Sequence, residues 1–322
     1  MKKKVLLIVG PTAVGKTTVA LEFAKHLPCE IISADSRQVY KYMDIGTAKP
    51  GAEERAAVRH HFIDIKYPDE PYSAGQFGEQ ARGCVDDILG RGNLPVVVGG
   101  SGLYLRGLVD GFHPPRIADA ELKMRLQEEA REHGLPHLYS KLQQLDPETA
   151  ARLHPTDSQR IMRALEVVEL TGTPFSAFRQ TEPVPANFEP VFVGLTMARS
   201  KLYQRIDRRV EQMLADGLLE EVRRLQDMGY GPGVTALRTV GYREALMYLR
   251  EQLSYDEMVA LIKQKSRNYA KRQLTWFRKE SRIAWVHVER VQDVVEALLK
   301  TAVERGFASL NDARQRSHEC NA

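Results

Sequence analysis

Short apolar runs alternate with longer amphipathic segments in the first third of the chain. Residues 5–9, 31–33 and 96–98 are rich in β-branched and aliphatic side chains, and helical patterns follow the first and third of these runs. Residues 191–195 and 284–288 have the same strand-like character later in the chain. Short buried strands that alternate with helices are typical of a parallel sheet. We therefore predict an α/β fold.

The pattern becomes purely helical between residues 113 and 190. Prolines interrupt this stretch repeatedly, at Pro114, Pro115, Pro136, Pro147, Pro155 and Pro174. We interpret it as a helical lobe inserted into a core formed by residues 1–112 and 191–309. The polar residues 310–322 are predicted to be a flexible tail.

Composition narrows the class of protein without identifying a partner. The 322 residues, with 43% hydrophobic and 27% charged positions, suit a globular protein with a large core and a second lobe. A net charge of +4 does not by itself indicate nucleic-acid binding. Cys29, Cys84 and Cys320 have neither disulfide-framework nor zinc spacing, which fits a reducing cytoplasm. We expect no membrane span and no export signal, because the first apolar run is too short.

A phosphate-binding motif follows the first predicted strand. The sequence GPTAVGKT at residues 10–17 matches G-x4-G-K-[ST] between a strand and a helix. Its glycines let backbone N–H groups curl around phosphate oxygens, while Lys16 and the helix N-terminus add positive charge. The Thr17 hydroxyl is placed to ligate Mg²⁺ carried by the phosphates. The core is thus predicted to be P-loop NTPase-like, with diphosphate- or nucleotide-binding residues Gly10, Pro11, Thr12, Ala13, Val14, Gly15, Lys16 and Thr17.

Polar residues follow the other two early strands. Asp35 and Ser36 end the second strand, at the sheet edge where ligands of open α/β folds bind. Asp35 could ligate magnesium, cap a helix or act as a general base, and the residues alone leave these roles open. Ser101 stands in the glycine turn after the third strand. Its hydroxyl could face a ligand or cap the turn.

A basic segment lies near the C-terminal end of the core. Residues 263–282 contain eight Lys and Arg residues against the single acid Glu280, with three aromatic residues interleaved. Such a mixture suits a loop or single-stranded RNA surface. The alternative is a solvated helix face, with Trp276 and Phe277 packed in the core. Four of the basic residues fall roughly on one helical face: Arg267, Lys271, Arg278 and Arg282.

The ordered motifs resemble one family, the tRNA dimethylallyltransferases, also called tRNA isopentenyltransferases. The resemblance is carried by GPTAVGKT, DSRQVY, DIGTAKP, HHFID, GGSGLYL, DSQRIMRALEV, YQRIDRRVEQML, ALRTVGYRE and SRNYAKRQLTWFRK. It extends from residue 5 to about residue 282. Ser101 stands where many relatives have threonine, which retains the hydroxyl. The sequence does not show the C-terminal zinc finger of some eukaryotic members, so we expect a compact enzyme of the bacterial type.

The resemblance implies transfer of a dimethylallyl group from dimethylallyl diphosphate to N6 of adenosine 37, next to the tRNA anticodon. Lys16 and Mg²⁺ on Thr17 would hold the diphosphate as a leaving group, and Asp35 would accept a proton from N6. Arg205 resembles the family arginine that contacts the diphosphate. The residues alone favour a surface ion pair of Arg205 with Asp207 or Glu211 instead.

The resemblance also implies that two early loops, the helical lobe and a late segment contact the anticodon stem-loop of tRNA. Together with two residues of the basic segment, the predicted contacts are Asp35, Ser36, Arg37, Gln38, Ser101, Gln159, Arg160, Ile161, Met162, Arg163, Arg238, Thr239, Val240, Gly241, Tyr242, Arg243, Arg267 and Lys271. The protein is expected to act as a monomer. The alternatives are a small-molecule or nucleotide kinase, an RNA-binding P-loop switch, and a prenyltransferase of free adenine nucleotides.

Overall fold

The computed structural model describes residues 3–112 and 119–307. The chain divides into two compact units, with unit 1 comprising residues 1–109 and 186–322 and unit 2 comprising residues 110–185. The sequence prediction had placed the lobe at residues 113–190. The predicted flexible tail, residues 310–322, and Cys320 lie outside the described residues.

Unit 1 is built on a six-stranded parallel sheet with strand order β3-β2-β4-β1-β5-β6. The strands are β1 Lys4–Val9, β2 Cys29–Ala34, β3 His60–His61, β4 Leu94–Gly99, β5 Glu189–Thr196 and β6 Ala284–His287. The prediction of a parallel α/β core with a helical insertion is confirmed. The short strand β3 is not among the predicted strands.

Both faces of this sheet are covered, which explains its continuous apolar strands. Val5, Leu7 and Val9 of β1 belong to one hydrophobic cluster, whereas Leu6 and Ile8 belong to another. All five side chains are fully buried. Alternate residues of a strand point to opposite faces, so β1 lies at the centre of two separate cores.

Helices connect and cover the strands of unit 1. They are α1 Lys16–Ala24, α2 Ala52–Ala57, α3 Ala74–Gly90, α4 Gly102–Val109, α9 Arg199–Ala215, α10 Leu218–Asp227, α11 Tyr242–Leu249, α12 Tyr255–Phe277 and α13 Val291–Glu304, with the remaining four α-helices in unit 2. Helix α12 ends at Phe277, so the prediction that Arg282 shares its basic face is wrong. The Arg282 guanidinium instead lies 5.1 Å from the ring centre of Phe192 and pairs with Glu280.

Unit 2 contains only helices among its described residues, 110–112 and 119–185. They are α5 Ala120–His133, α6 Leu135–Leu145, α7 Pro147–Arg152, α8 Ser158–Thr171 and a 3₁₀ helix, Phe175–Gln180. Asp119, Asp146 and Asp157 begin three of these helices, each accepting a backbone N–H with its side chain. The lobe has its own core, centred on Leu126, Leu138, Leu142, Ile161 and Leu165.

The strand register brings three loops to one edge of the sheet. Val9, at the end of β1, is paired with Gly99, at the end of β4, and Gly99 is also paired with Ala34, at the end of β2. The phosphate motif, Asp35 and Ser101 follow these three strand ends. The carboxyl edge of the sheet therefore gathers the predicted chemistry, as the parallel fold requires.

Candidate active site

The phosphate loop (residues 10–17) depends on glycine at two positions. A side chain at Gly10 would place its Cβ 2.6 Å from the carbonyl oxygen of Leu195, so no other residue fits there. Gly15 has a φ of 105° and begins helix α1, a conformation that glycine adopts without steric cost. Ala13 also has positive φ, at 63°. These turns curl the backbone into the anion-binding shape that the sequence motif predicts.

Two partly buried cations face this loop. The Lys16 Nζ donates to the carbonyl oxygen of Pro11 at 2.9 Å, and the guanidinium of Arg209 lies 3.5 Å from the hydroxyl of Thr12. Burial lowers the pKa of Lys16 to about 8; the charge of Asp35 opposes this and that of Arg209 adds to it. Burial also lowers the pKa of Arg209. Two positive charges that lose hydration near each other favour an anionic ligand.

Arg205 lies at the outer side of the phosphate loop. Its guanidinium is 3.4 Å from the Val14 carbonyl oxygen. The alternative ion pairs of Arg205 are wrong, because Asp207 pairs with Arg267 and Glu211 pairs with Lys263. Arg205 is exposed, so Arg209 is the arginine that points into the site.

Asp35 begins a tight turn after β2. Its Oδ1 accepts hydrogen bonds from the backbone N–H of Arg37 at 2.8 Å and of Gln38 at 3.4 Å. The Gln38 side chain accepts from the Ser33 hydroxyl and donates to the Ala48 carbonyl, which ties the turn to the neighbouring loop. Asp35 therefore caps a turn and not a helix, so the helix-capping alternative is wrong, and its carboxylate also lines the cavity described below.

The loop after β4 places Ser101 beside that turn. The Ser101 hydroxyl accepts a hydrogen bond from the backbone N–H of Ser36 at 3.0 Å. A further hydrogen bond joins the side chains of Ser101 and Tyr269, and burial raises the pKa of Tyr269 to about 12. Ser101 thus links the Asp35 turn to helix α12. Both roles that the sequence left open for its hydroxyl remain compatible with this position.

One cavity within unit 1 is lined by the phosphate loop, Arg209 and the Asp35 turn. It encloses about 650 Å³ of empty space, including the part open to solvent. It is lined by Thr12, Lys16, Thr17, Ala20, Ile31, Ser33, Asp35, Gln38, Thr47, Ala48, Pro50, His60, Val98, Gly99, Arg209, Tyr269 and Gln273. The structure therefore brings together Lys16, Thr17 and Asp35, three of the four predicted catalytic residues.

Sequence reasoning missed three polar residues that helices α9 and α12 bring to the cavity: Arg209, Tyr269 and Gln273. Arg209 follows Arg205 by one helical turn on α9, a spacing that places the two on one face. That spacing was the available signal. Nothing in the sequence distinguishes Gln273 from an ordinary helical glutamine, because its partners lie far away along the chain.

The predicted tRNA-contacting residues of the lobe divide by exposure. Gln159 and Arg160 are exposed on α8, and Arg160 pairs with Asp157. Arg163 is partly buried and pairs with Glu166. Met162 packs against the lobe core, and Ile161 is fully buried in it. The Ile161 side chain therefore has no surface to offer to RNA.

The predicted tRNA-contacting residues 238–243 also differ in their exposure to solvent. Arg238 and Arg243 are exposed, whereas Tyr242 is fully buried. The Tyr242 hydroxyl donates to the Glu221 carboxylate at 2.6 Å. Tyr242 is therefore a packing residue and not a surface for tRNA. Thr239 and Val240 are partly exposed, and Gly241 is buried at the start of α11.

Helix α12 presents basic residues on its outer side. Lys271 is exposed, but Arg267 is half-buried and binds both carboxylate oxygens of Asp207, at 2.7 and 2.9 Å. Phe277 is a core residue, as the alternative interpretation held. Trp276 is 40% exposed and packs against Gly102, so the same interpretation is wrong for Trp276.

The donor set at the phosphate loop fits Mg²⁺ only together with phosphate oxygens. Within residues 3–112 and 119–307, no group of three or more His, Cys, Asp and Glu residues is gathered for a metal ion. Thr17 and Asp35 both line the cavity and offer oxygen atoms. Mg²⁺ in phosphate sites is commonly held by few protein oxygens and by the substrate. Across the same described residues, no helix is both long and apolar enough to cross a membrane.

Comparison with known proteins identifies the family. The model of the IPP transferase family matches residues 38–280. This chain belongs to the IPP transferase family. The tRNA dimethylallyltransferase of Symbiobacterium thermophilum is 49% identical over 287 residues, which cover 89% of this chain and 90% of that protein. The enzyme of the same name from Acetivibrio thermocellus is 44% identical over 298 residues, covering 92% and 95%.

Solved structures of IPP transferases share the fold. The tRNA isopentenylpyrophosphate transferase of Bacillus halodurans superposes with a TM-score of 0.67 at 37% identity, over the full length of both chains. A eukaryotic dimethylallyltransferase solved acting on tRNA has a TM-score of 0.79 at 27% identity and covers 95% of this chain and 79% of its own. The family and the fold class predicted from the sequence are confirmed.

Proposed function

We propose that this protein transfers a dimethylallyl group from dimethylallyl diphosphate to N6 of adenosine 37 in the tRNA anticodon loop and releases diphosphate. The names of the relatives support prenyl transfer to tRNA. The observation that carries the proposal is one cavity lined by two partly buried cations, Lys16 and Arg209, together with one carboxylate, Asp35. That set suits an anionic leaving group next to a nucleophile that must lose a proton.

The cationic side of the cavity would stabilise the departing diphosphate. Cleavage of the allylic C–O bond builds negative charge on the diphosphate oxygen, and cations already in place stabilise that charge without reorganising. The phosphate loop, Lys16 and Arg209 would supply this stabilisation, with Arg205 at the outer edge. Thr17 would hold Mg²⁺, which supplies further positive charge to the diphosphate.

Asp35 would prepare the acceptor amine. The lone pair of N6 is shared with the adenine ring, so the amine is a poor nucleophile. In the reaction the N6–C bond forms, the C–O bond breaks with its electron pair going to the diphosphate, and the N6 proton passes to the Asp35 carboxylate. A positioned general base of this kind contributes about 10²- to 10⁴-fold in rate.

The RNA must present its base outside the anticodon stack. Extruding a nucleotide costs a few kcal/mol, and the cost is smaller for a base in a loop than for a base in a duplex. Contacts to the RNA backbone would offset this cost. The exposed cations Arg238, Arg243 and Lys271 of unit 1 are suited to this task, as are Gln159 and Arg160 of the lobe.

The cellular setting follows from the substrate. We expect the protein to act in the cytoplasm, because its relatives are named for a reaction on tRNA, and the free thiols Cys29 and Cys84 suit a reducing compartment. The monomeric state stays a prediction. The comparisons do not favour the kinase alternative, since the relatives are named for prenyl transfer.

Mass analysis of tRNA nucleosides tests the proposed function. Purified protein, unmodified tRNA, Mg²⁺ and dimethylallyl diphosphate should yield one adenosine heavier by a five-carbon prenyl group. A parallel reaction with ATP in place of the prenyl donor should leave the RNA unchanged and transfer no phosphate. An RNA-binding switch would leave the mass of the RNA unchanged in both reactions. A prenyltransferase of free adenine nucleotides, the remaining alternative, would prenylate a free adenine nucleotide and leave tRNA unmodified.

A further inference from the structure

Gln273 of helix α12 joins two loops of the cavity with a single side chain. Its Oε1 accepts a hydrogen bond from the backbone N–H of Thr12 at 2.8 Å, and its Nε2 donates to the carbonyl oxygen of Gly100 at 2.9 Å. Thr12 lies in the phosphate loop, 261 positions away along the chain. The Gln273 side chain is 6% exposed and lines the cavity.

The orientation of this amide is determined by its partners. A backbone N–H can only donate and a carbonyl oxygen can only accept, so the two ends of the Gln273 amide cannot be exchanged. Gly100 makes the contact possible, because a Cβ at that position would lie 2.2 Å from the Gln273 Nε2. The bridge therefore requires glutamine at one end and glycine at the other.

The two bridged loops carry different reaction partners. The phosphate loop continues to Lys16 and Thr17, which are proposed to hold the leaving group. The other loop continues from Gly100 to Ser101, whose hydroxyl accepts from the backbone N–H of Ser36, the residue after Asp35. Gln273 thus closes a chain of contacts between the proposed base and the site of the departing diphosphate.

We propose that Gln273 is a positioning residue that fixes the spacing between the diphosphate-binding loop and the acceptor side of the cavity. This inference rests on the proposed function. In-line displacement needs the nucleophile and the leaving group aligned, and a displacement of about 1 Å can reduce a rate about 10²-fold. Loss of the bridge should therefore reduce the rate of transfer more than the affinity for either substrate.

The test compares Gln273→Met with Gln264→Met. Methionine keeps the length of the side chain but removes both hydrogen bonds, and Gln264 is an exposed glutamine of the same helix. Gln273→Met should lower the single-turnover rate with both substrates saturating by about 10- to 100-fold. Its dissociation constants for the donor and for tRNA should stay within about threefold of wild type. Gln264→Met should match wild type in all three quantities.

Gly100→Ala tests the same bridge from its other end. The added Cβ would lie 2.2 Å from the Gln273 Nε2 and 3.2 Å from the Gly10 carbonyl oxygen, so it should displace the flexible Gln273 amide without any change of sequence at position 273. Gly100→Ala should lower the rate, and the double variant should be no slower than the slower single variant, because both changes remove one interaction. Hydrogen exchange at the Thr12 amide should become faster in both variants, which shows that the bridge has opened.

Two results would overturn the inference. An opened bridge with an unchanged single-turnover rate would reduce Gln273 to a packing residue. A rate loss that follows only the loss of folded protein, measured by thermal unfolding, would do the same. If wild type prenylates tRNA, either result removes the role of Gln273 and leaves the proposed function intact. A wild type that prenylates no tRNA removes both.

Discussion

The cavity and the basic outer surfaces use charge in opposite ways. The cavity contains few charged groups, and there burial lowers the pKa of Lys16 and of Arg209 while the charge of Asp35 opposes both shifts. The outer surfaces, on α12 and after α10, carry many cations whose interaction with each other is screened by salt. The comparison indicates that single substitutions in the cavity should change rates greatly, whereas those on the surface should change affinity slightly.

Replacing Asp35 should give the largest effect. Asparagine retains the oxygen that accepts from the Arg37 backbone N–H, so the turn should persist, but it cannot take a proton. Asp35→Asn should lower the single-turnover rate by about 10²- to 10⁴-fold with tRNA affinity nearly unchanged. Asp86→Asn, at an exposed ion pair with Lys3, is the matched control. A rate within threefold of wild type would rule out a role as general base.

The pH profile of donor use should reveal Lys16. Its pKa is lowered to about 8, mainly by burial. Below that pH the side chain is a cation that attracts the diphosphate, and above it the side chain becomes neutral. The kcat/KM for the donor, which reports ionisations of the free enzyme, should therefore fall as the pH rises through about 8. Lys16→Arg keeps its charge and should lack this fall. A flat wild-type profile up to about pH 9.5 would contradict the assignment.

The smallest effects should come from the surface of α12. Lys271→Ala should reduce the slope of log affinity for tRNA against log salt by about 1, as expected for one lost phosphate contact. Arg267→Ala should change the slope less, because the Arg267 charge already pairs with Asp207. Equal slopes for wild type and Lys271→Ala would make this helix face a solvated surface. If Arg267→Ala changed the salt slope more than Lys271→Ala, the proposed difference between paired and exposed cations would be wrong.

Local features of the site could be predicted from the sequence, and long-range ones could not. The phosphate loop, Thr17 and Asp35 each belong to a short motif at a strand end, so the parallel fold alone brings them together. Arg209 and Gln273 reach the cavity from helices whose packing no local pattern specifies. The same limit applies to strand β3, since two residues cannot display a periodic pattern.

The sequence motifs also did not predict which of their side chains are exposed to solvent. Ile161 and Tyr242 lie next to the exposed arginines Arg160 and Arg243 in segments predicted to contact tRNA, yet both are buried. A helix turns about 100° per residue, so neighbours in a motif face different directions. Contact with RNA must therefore be assigned residue by residue from the folded structure.

The central claim is that the cationic loop holds a leaving group and that carbon is what the enzyme transfers. A donor labelled with ¹⁴C in its dimethylallyl group and with ³²P in its diphosphate tests this directly. We predict that ¹⁴C becomes bound to tRNA while ³²P is released as diphosphate, in equal amounts. Appearance of ³²P in the RNA, or in any other acceptor, with no ¹⁴C bound to the RNA would contradict the account.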